Sequence, residues 1–215
     1  MDLLVMTTYE ARLQDDYLAL LKEASNYYMA RGDVFTTLQN LTRRLDEVKI
    51  PYALVGGLAL AAHGFVRMTQ VVDLLMTREG LEAFKQSFLG RGYILAFSGA
   101  QRTFRDTETQ VRIEILITGD YPGDGKPKPI SFPDPSTVYT ERGGMRVIAI
   151  ERLIELKLAS GMSAAHRLRD LADVQDLIIT LKLPIEFAEM LDDSVRETFR
   201  QLWHSAQSES PCGSN

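Results

Sequence analysis

Residues 52–77 read YALVGGLALAAHGFVRMTQVVDLLMT, and the order of elements inside this run decides the fold. Residues 53–55 form a short apolar strand. Gly56 and Gly57 then turn the chain into an Ala/Leu-rich helix over 57–62. After Arg67 and Thr69 comes Val71–Met76, apolar throughout except at Asp73, which suits a buried central strand. A lone carboxylate in such a strand is costly unless a cation pairs with it or a metal binds it. Asp73 is therefore either a site residue or the partner of a nearby arginine, Arg67 or Arg112.

Working outward, residues 8–30 carry Leu13, Tyr17, Leu20, Leu21 and Ala24 at helical spacing, and Gly32 stops the pattern. Asp33 is the expected N-cap of a second helix reaching about Val48, with Phe35, Leu38, Leu41 and Leu45 on one face. Pro51 separates it from the first strand. Residues 78–89 are expected to be helical, closed by Gly90 and Gly92. Strands follow at 93–97, 101–105 and 110–117. In the last, alternation places Val111, Ile113, Ile115 and Ile117 on one face and Arg112, Glu114 and Leu116 on the other. Residues 118–135 (TGDYPGDGKPKPISFPDP) are too rich in Gly and Pro for regular structure, and a loop of that length is expected to border a site. A short strand at Met145–Ile148 precedes helices at 150–160, 164–181 and 186–206, and residues 207–215 form a polar tail expected to be disordered.

Composition narrows the class. The chain has 215 residues, 45% hydrophobic and 25% charged, with net charge −5; these are values of a soluble domain that buries a substantial core. No run approaches the ~18 consecutive apolar residues of a membrane span. The acidic N-terminus is unlike a secretion signal, so a cytoplasmic protein is expected. The single cysteine, Cys212, rules out an internal disulfide and argues against a cysteine-based metal site. Nucleic acid is not attracted by overall charge. Residues 141–170 hold six Arg or Lys against four Asp or Glu, a mild local excess.

A Gly-Gly turn after a strand, followed by an acidic strand, resembles the signature of the nucleotidyltransferase superfamily, in particular its AbiEii-like and minimal bacterial members. The likeness covers roughly residues 52–117. A weaker one runs through 150–178, IERLIELKLASGMSAAHRLRDLADVQDLI. It implies a mixed α/β fold with a nucleotidyltransferase-like core and a small mixed sheet over 50–148. Helices flank the core at 1–49 and 149–206, followed by the tail at 207–215. It also implies a toxin–antitoxin relation. In the family an Asp-x-Asp pair on the second strand grips the ions, since residues i and i+2 of a strand share a face. Here the pair reads Val71-Val72-Asp73, and the first carboxylate is missing.

The resemblance makes Asp73 and Glu114 the metal ligands for Mg²⁺ or Mn²⁺, weakened by Val71. It gives Gly56, Gly57, Arg67 and Thr69 to the nucleotide phosphates, through bare backbone N–H groups and a helix start. It brings Lys157 to the phosphates, with Asp170 facing it. Each position has a plainer reading. Glu114 suits an exposed strand position, the glycines a packing turn, and Lys157 a lysine that snorkels from its apolar stripe. His166, Asp170 and Asp173 suit a solvated face in which Arg169 pairs with Asp173. His63 suits a packing residue, and Lys126 and Lys128 solvated loop lysines. The GDGKP of the loop is not a Walker A sequence.

The expected function is metal-dependent transfer of a nucleotide from an NTP to a hydroxyl on RNA, a small molecule or a protein. The alternatives are an inactive nucleotide-binding or protein-interaction module of the same fold, favoured by Val71, and a helical interaction protein that ignores the cleft.

Overall fold

A computed structural model describes Thr8, Tyr9 and residues 32–208. Strands β1 (Ala53–Leu54), β2 (Val71–Met76), β3 (Tyr93–Leu95), β4 (Thr103–Asp106), β5 (Arg112–Ile117), β6 (Tyr139–Arg142) and β7 (Met145–Ile148) form one mixed sheet. Their order is β3-β4-β5-β2-β1-β7-β6. Pairings β2–β5 and β1–β7 are parallel, and the rest antiparallel. The helices are α1 (Asp33–Glu47), α2 (Gly56–Ala62), α3 (Arg78–Phe88), α4 (Ile150–Ser163), α5 (Leu168–Leu181) and α6 (Asp193–Ser208). The fold is mixed α/β, with more strands than the small sheet expected. Among the described residues no helix is long and apolar enough to cross a membrane.

The two parallel strands at the centre explain the arrangement. Val72 and Leu74 of β2, with Ile113, Ile115 and Ile117 of β5, are fully buried in the core. Asp73, Arg112, Glu114 and Leu116 alternate with them and are only half-buried. The core side is closed by Leu38, Leu41 and Leu45 of α1 and by an aromatic group in which Phe84 lies 4.9 Å from Phe104 and 5.4 Å from Tyr93, ring centre to ring centre. Tyr9 joins the same core. Apart from Thr8 and Tyr9, the helix expected over 8–30 lies outside the described residues, as do residues 209–215 of the expected tail.

Four local readings change. Gly32, not Asp33, caps α1: its φ of 95° lies in the left-handed region that favours glycine, and Asp33 becomes the first-turn acid. Strand β6 was not expected because all four of its side chains are exposed and carry no apolar alternation. It pairs with β7 through a two-residue Gly143-Gly144 turn with both φ values positive. The helix expected over 164–181 begins as a 3₁₀ turn, Ala165–Arg167. The one expected over 186–206 is a 3₁₀ segment, Ile185–Met190, followed by α6, which runs on to Ser208. The break falls where the Asp192 carboxylate accepts from Ser194 N and Oγ (2.9 and 2.6 Å) and Asp192 N donates to buried Glu155 (2.8 Å).

Helices α4 and α5 touch through a glycine. A Cβ on Gly161 would lie 2.6 Å from Leu171 Cγ and Cδ2. Helix propensity alone would favour alanine there by about 1 kcal/mol. Gly161→Ala is nevertheless expected to lower stability by about 1–3 kcal/mol through overpacking, and Leu171→Ala in the same chain should return part of the loss. Urea melts of wild type and the two variants measure this.

Candidate active site

The floor of the site is set by strand register. In the parallel β2–β5 pair Asp73 lies opposite Glu114 and Val71 opposite Arg112. Neighbouring strands run about 4.8 Å apart, so each pair shares one face at close range. Asp73 is pressed against the turn before it. Gly56 has φ +64°, and a Cβ there would sit 2.1 Å from Asp73 Oδ2. Glycine is required both by conformation and by the carboxylate. Gly57 is almost as tight, since its Cβ would lie 2.9 Å from Thr69 Cβ. Thr69 Oγ1 meets the Val71 backbone only at 3.4–3.5 Å.

Neither arginine expected as a partner takes Asp73. Arg67 donates through Nε and Nη2 to the two oxygens of Asp173 (2.7 and 3.0 Å). Arg112 Nε is buried and has no hydrogen-bond partner among the described residues. Burial above all, and then the Glu114 carboxylate, pushes the Asp73 carboxyl up from the usual 3.8 to about 7, against the pull of Lys157, Arg112 and Arg67.

The opposite wall comes from α4 and α5. Lys157 is 6% exposed and does not snorkel. Its Nζ donates to Asp173 Oδ2 (2.6 Å) and Asp170 Oδ1 (3.0 Å), while Ser160 Oγ donates to Asp170 Oδ2 (2.6 Å). Asp173, 2% exposed, holds both Arg67 and Lys157, so it does not form the solvated pair with Arg169. Asp170 faces Lys157. His166 is exposed on the 3₁₀ turn, because α5 starts only at Leu168. His63 is buried, its Nε2 2.8 Å from Ile148 O, and burial lowers its pKa, as befits a packing residue. Lys128 folds back onto Asp124 and Pro122 O and closes the loop on itself; Lys126 is exposed.

Between these walls lies a cleft of ≈ 490 Å³, a size that suits a small organic ligand. Gly56, Gly57, Arg67, Thr69, Asp73, Glu114, Lys157 and Asp170 all line it. The long loop borders it through Pro122, Gly123 and Phe132. Five cations (Arg67, Arg112, Lys157, Arg167 and Arg169) face three carboxylates, a local positive excess on a negative chain. Arg112, Arg167, Arg169 and Asp173 were not among the expected site residues. Arg112 was legible, two residues before Glu114 on an alternating strand. The fork on Asp173 was not, because Arg67 is 106 residues away.

Among the described residues no group of three or more His, Cys, Asp or Glu could hold a metal. Asp73 and Glu114 nevertheless stand side by side, and among the described residues no cation is paired to Asp73. Magnesium is commonly held by one or two carboxylates together with substrate phosphates.

No protein-family model matches the sequence, and no curated protein matches it. Several solved structures share part of the architecture. An antigenic nucleotidyltransferase-like protein from Paracoccidioides brasiliensis is 16% identical over 81% of this chain and 87% of its own, with a TM-score of 0.47. ANT(2")-Ia, solved with adenylyl-2"-tobramycin, is 13% identical over 80% and 97%, at 0.45. JHP933 from Helicobacter pylori is 17% identical over 82% and 90%, at 0.38. Likeness this distant transfers no residue roles.

The raised Asp73 pKa has a sign. Between pH ~4 and 7 the folded chain binds more protons than the unfolded one, so this carboxyl removes stability as pH rises through that window. Asp73→Asn is expected to match wild type near pH 4 and to gain about 2 kcal/mol by pH 8, half of what three pKa units give a wholly enclosed group. Melts in EDTA at pH 4, 6 and 8 measure it. A gain that is the same at all three would assign the effect to packing.

Proposed function

We propose that the cleft binds a nucleoside triphosphate with Mg²⁺ or Mn²⁺ and transfers its nucleotide to a hydroxyl on RNA, a small molecule or a protein. On this reading the chain is an AbiEii-like member of the nucleotidyltransferase superfamily. The carrying observation is the in-register pair Asp73–Glu114, opening into a cleft with more cations than carboxylates. A divalent ion held there neutralises phosphate charge and orients the leaving group. Asp73 and Glu114 hold it from one wall. Gly56 and Gly57 offer first-turn N–H groups of α2, which have no acceptor within the helix, to phosphate oxygens.

The ion-pair network changes how the remaining charge is met. Arg67 and Lys157 are matched by Asp170 and Asp173, so this quartet is neutral as a unit. It sets the position of Lys157 and Arg67 beside the ligand more than it supplies net charge. Balancing a triphosphate then falls to Arg112, Arg167 and Arg169. Val71 offers no oxygen where a second carboxylate of β2 would stand, which supports slow turnover. The same valine, with the neutral quartet, favours the second reading, a nucleotide-binding module without transfer.

Labelled NTPs, Mg²⁺ and a mixture of cell RNA and protein provide the test. Slow, metal-dependent label transfer is expected, lost in Asp73→Ala and reduced by at least tenfold in Glu114→Gln. Val71→Asp should raise transfer roughly tenfold, about 1.4 kcal/mol of barrier, while lowering stability without metal because two carboxylates then repel on one strand face. Transfer that survives Asp73→Ala would move the chemistry elsewhere. NTP binding with no transfer in any variant would establish the binding module.

A further inference from the structure

Along β5 the exposed face changes character in one direction. Arg112, Glu114 and Leu116 follow one another at about 6.6 Å intervals, cation, carboxylate, then hydrocarbon. The chain beyond β5 returns to cover the apolar end. Gly119 N donates to Phe132 O and Phe132 N to Asp120 O, both at 2.8 Å, so Phe132 is pinned just past Leu116 and lines the same cleft. The cleft thus has an ionic end and an end made of Leu116 and a half-buried aromatic ring. A mononucleotide has the same polarity, with charged phosphates at one end and a flat, weakly polar base at the other.

We infer that Phe132 is the platform on which the nucleobase lies, with Leu116 beneath it, and that the site reads the base by its face and not by its edge. This rests on the nucleotide-binding reading given above and adds a specificity to it. Several polar groups of the loop around Phe132 are engaged within the loop itself. Both backbone groups of Phe132 are bonded, and Thr118 Oγ1 is turned to Met76 O (3.3 Å) and Pro133 O (3.0 Å). Asp134 Oδ1 accepts from Ser136 N and Oγ (2.8 and 2.6 Å). With the loop's polar groups next to the ring engaged, stacking is the main contact the platform offers a base, so all four bases are expected to bind. The platform prefers purines modestly, because they present the larger face.

Calorimetric titration of the whole chain in MgCl₂ with ATP, GTP, CTP, UTP and inorganic tripolyphosphate tests this. The four NTPs should bind within about tenfold of one another, each tighter than tripolyphosphate. Phe132→Ala should weaken every NTP roughly 5- to 150-fold, the value of a base–aromatic stack, and leave tripolyphosphate unchanged. Phe132→Leu keeps the packing under the loop and should show a smaller loss of the same kind, with an unaltered melting temperature. NTPs that bind no tighter than tripolyphosphate, a loss shared by tripolyphosphate, or one base preferred a hundredfold would each overturn the platform while leaving the phosphate end standing. Absence of binding by all five ligands to wild type would overturn the nucleotide reading and the platform with it.

Discussion

The contact between the Asp73 carboxylate and the Cα of Gly56 governs the site. It fixes the distance between the end of β1 and the middle of β2, and there is no space at Gly56 for any side chain. The carboxylate is pressed against bare backbone, desolvation is the largest influence on it, and its neighbour across the strands is another carboxylate. An acid therefore stands where burial disfavours its charged form.

The second constraint ties the sheet to the C-terminal helices. Asp173 is nearly inaccessible and holds a guanidinium from the loop before β2 and an ammonium from α4. Removing it would leave the half-buried Arg67 without its carboxylate and the buried Lys157 with Asp170 alone. The wall of the cleft is therefore a balanced electrostatic unit whose members position one another. The cations near the mouth, Arg167 and Arg169, stand outside that balance.

Much of this architecture was readable from periodicity. The bounds of β2 follow from one apolar run, and β5 follows from strict alternation, because burial on one face leaves a two-residue imprint. The gathering of Asp73, Glu114, Lys157 and Asp170 in one cleft was expected from the family resemblance, and periodicity alone offered a plainer reading for Glu114, Lys157 and Asp170. What escaped was of two kinds. Strand β6 has no apolar face, so only its Gly-Gly turn betrayed it. The partners of Arg67 and Lys157 were hidden because ion pairing between distant segments leaves no periodic trace: a helical i, i+4 rule suggested Arg169 for Asp173, and burial selected Arg67 and Lys157 instead.

The parallel pairings have a consequence for how the molecule comes into being. β1 finds its second neighbour only in β7, 93 positions later by the Leu54–Val147 register, and β2 waits for β5. At a synthesis rate of roughly 5–20 residues per second, the apolar β1 spends about 5–20 s without that partner. Parallel, long-range pairing is also slow to form once the chain is complete. The cleft draws on segments from Gly56 to Asp170, so a growing chain cannot form it before Asp170 has been made.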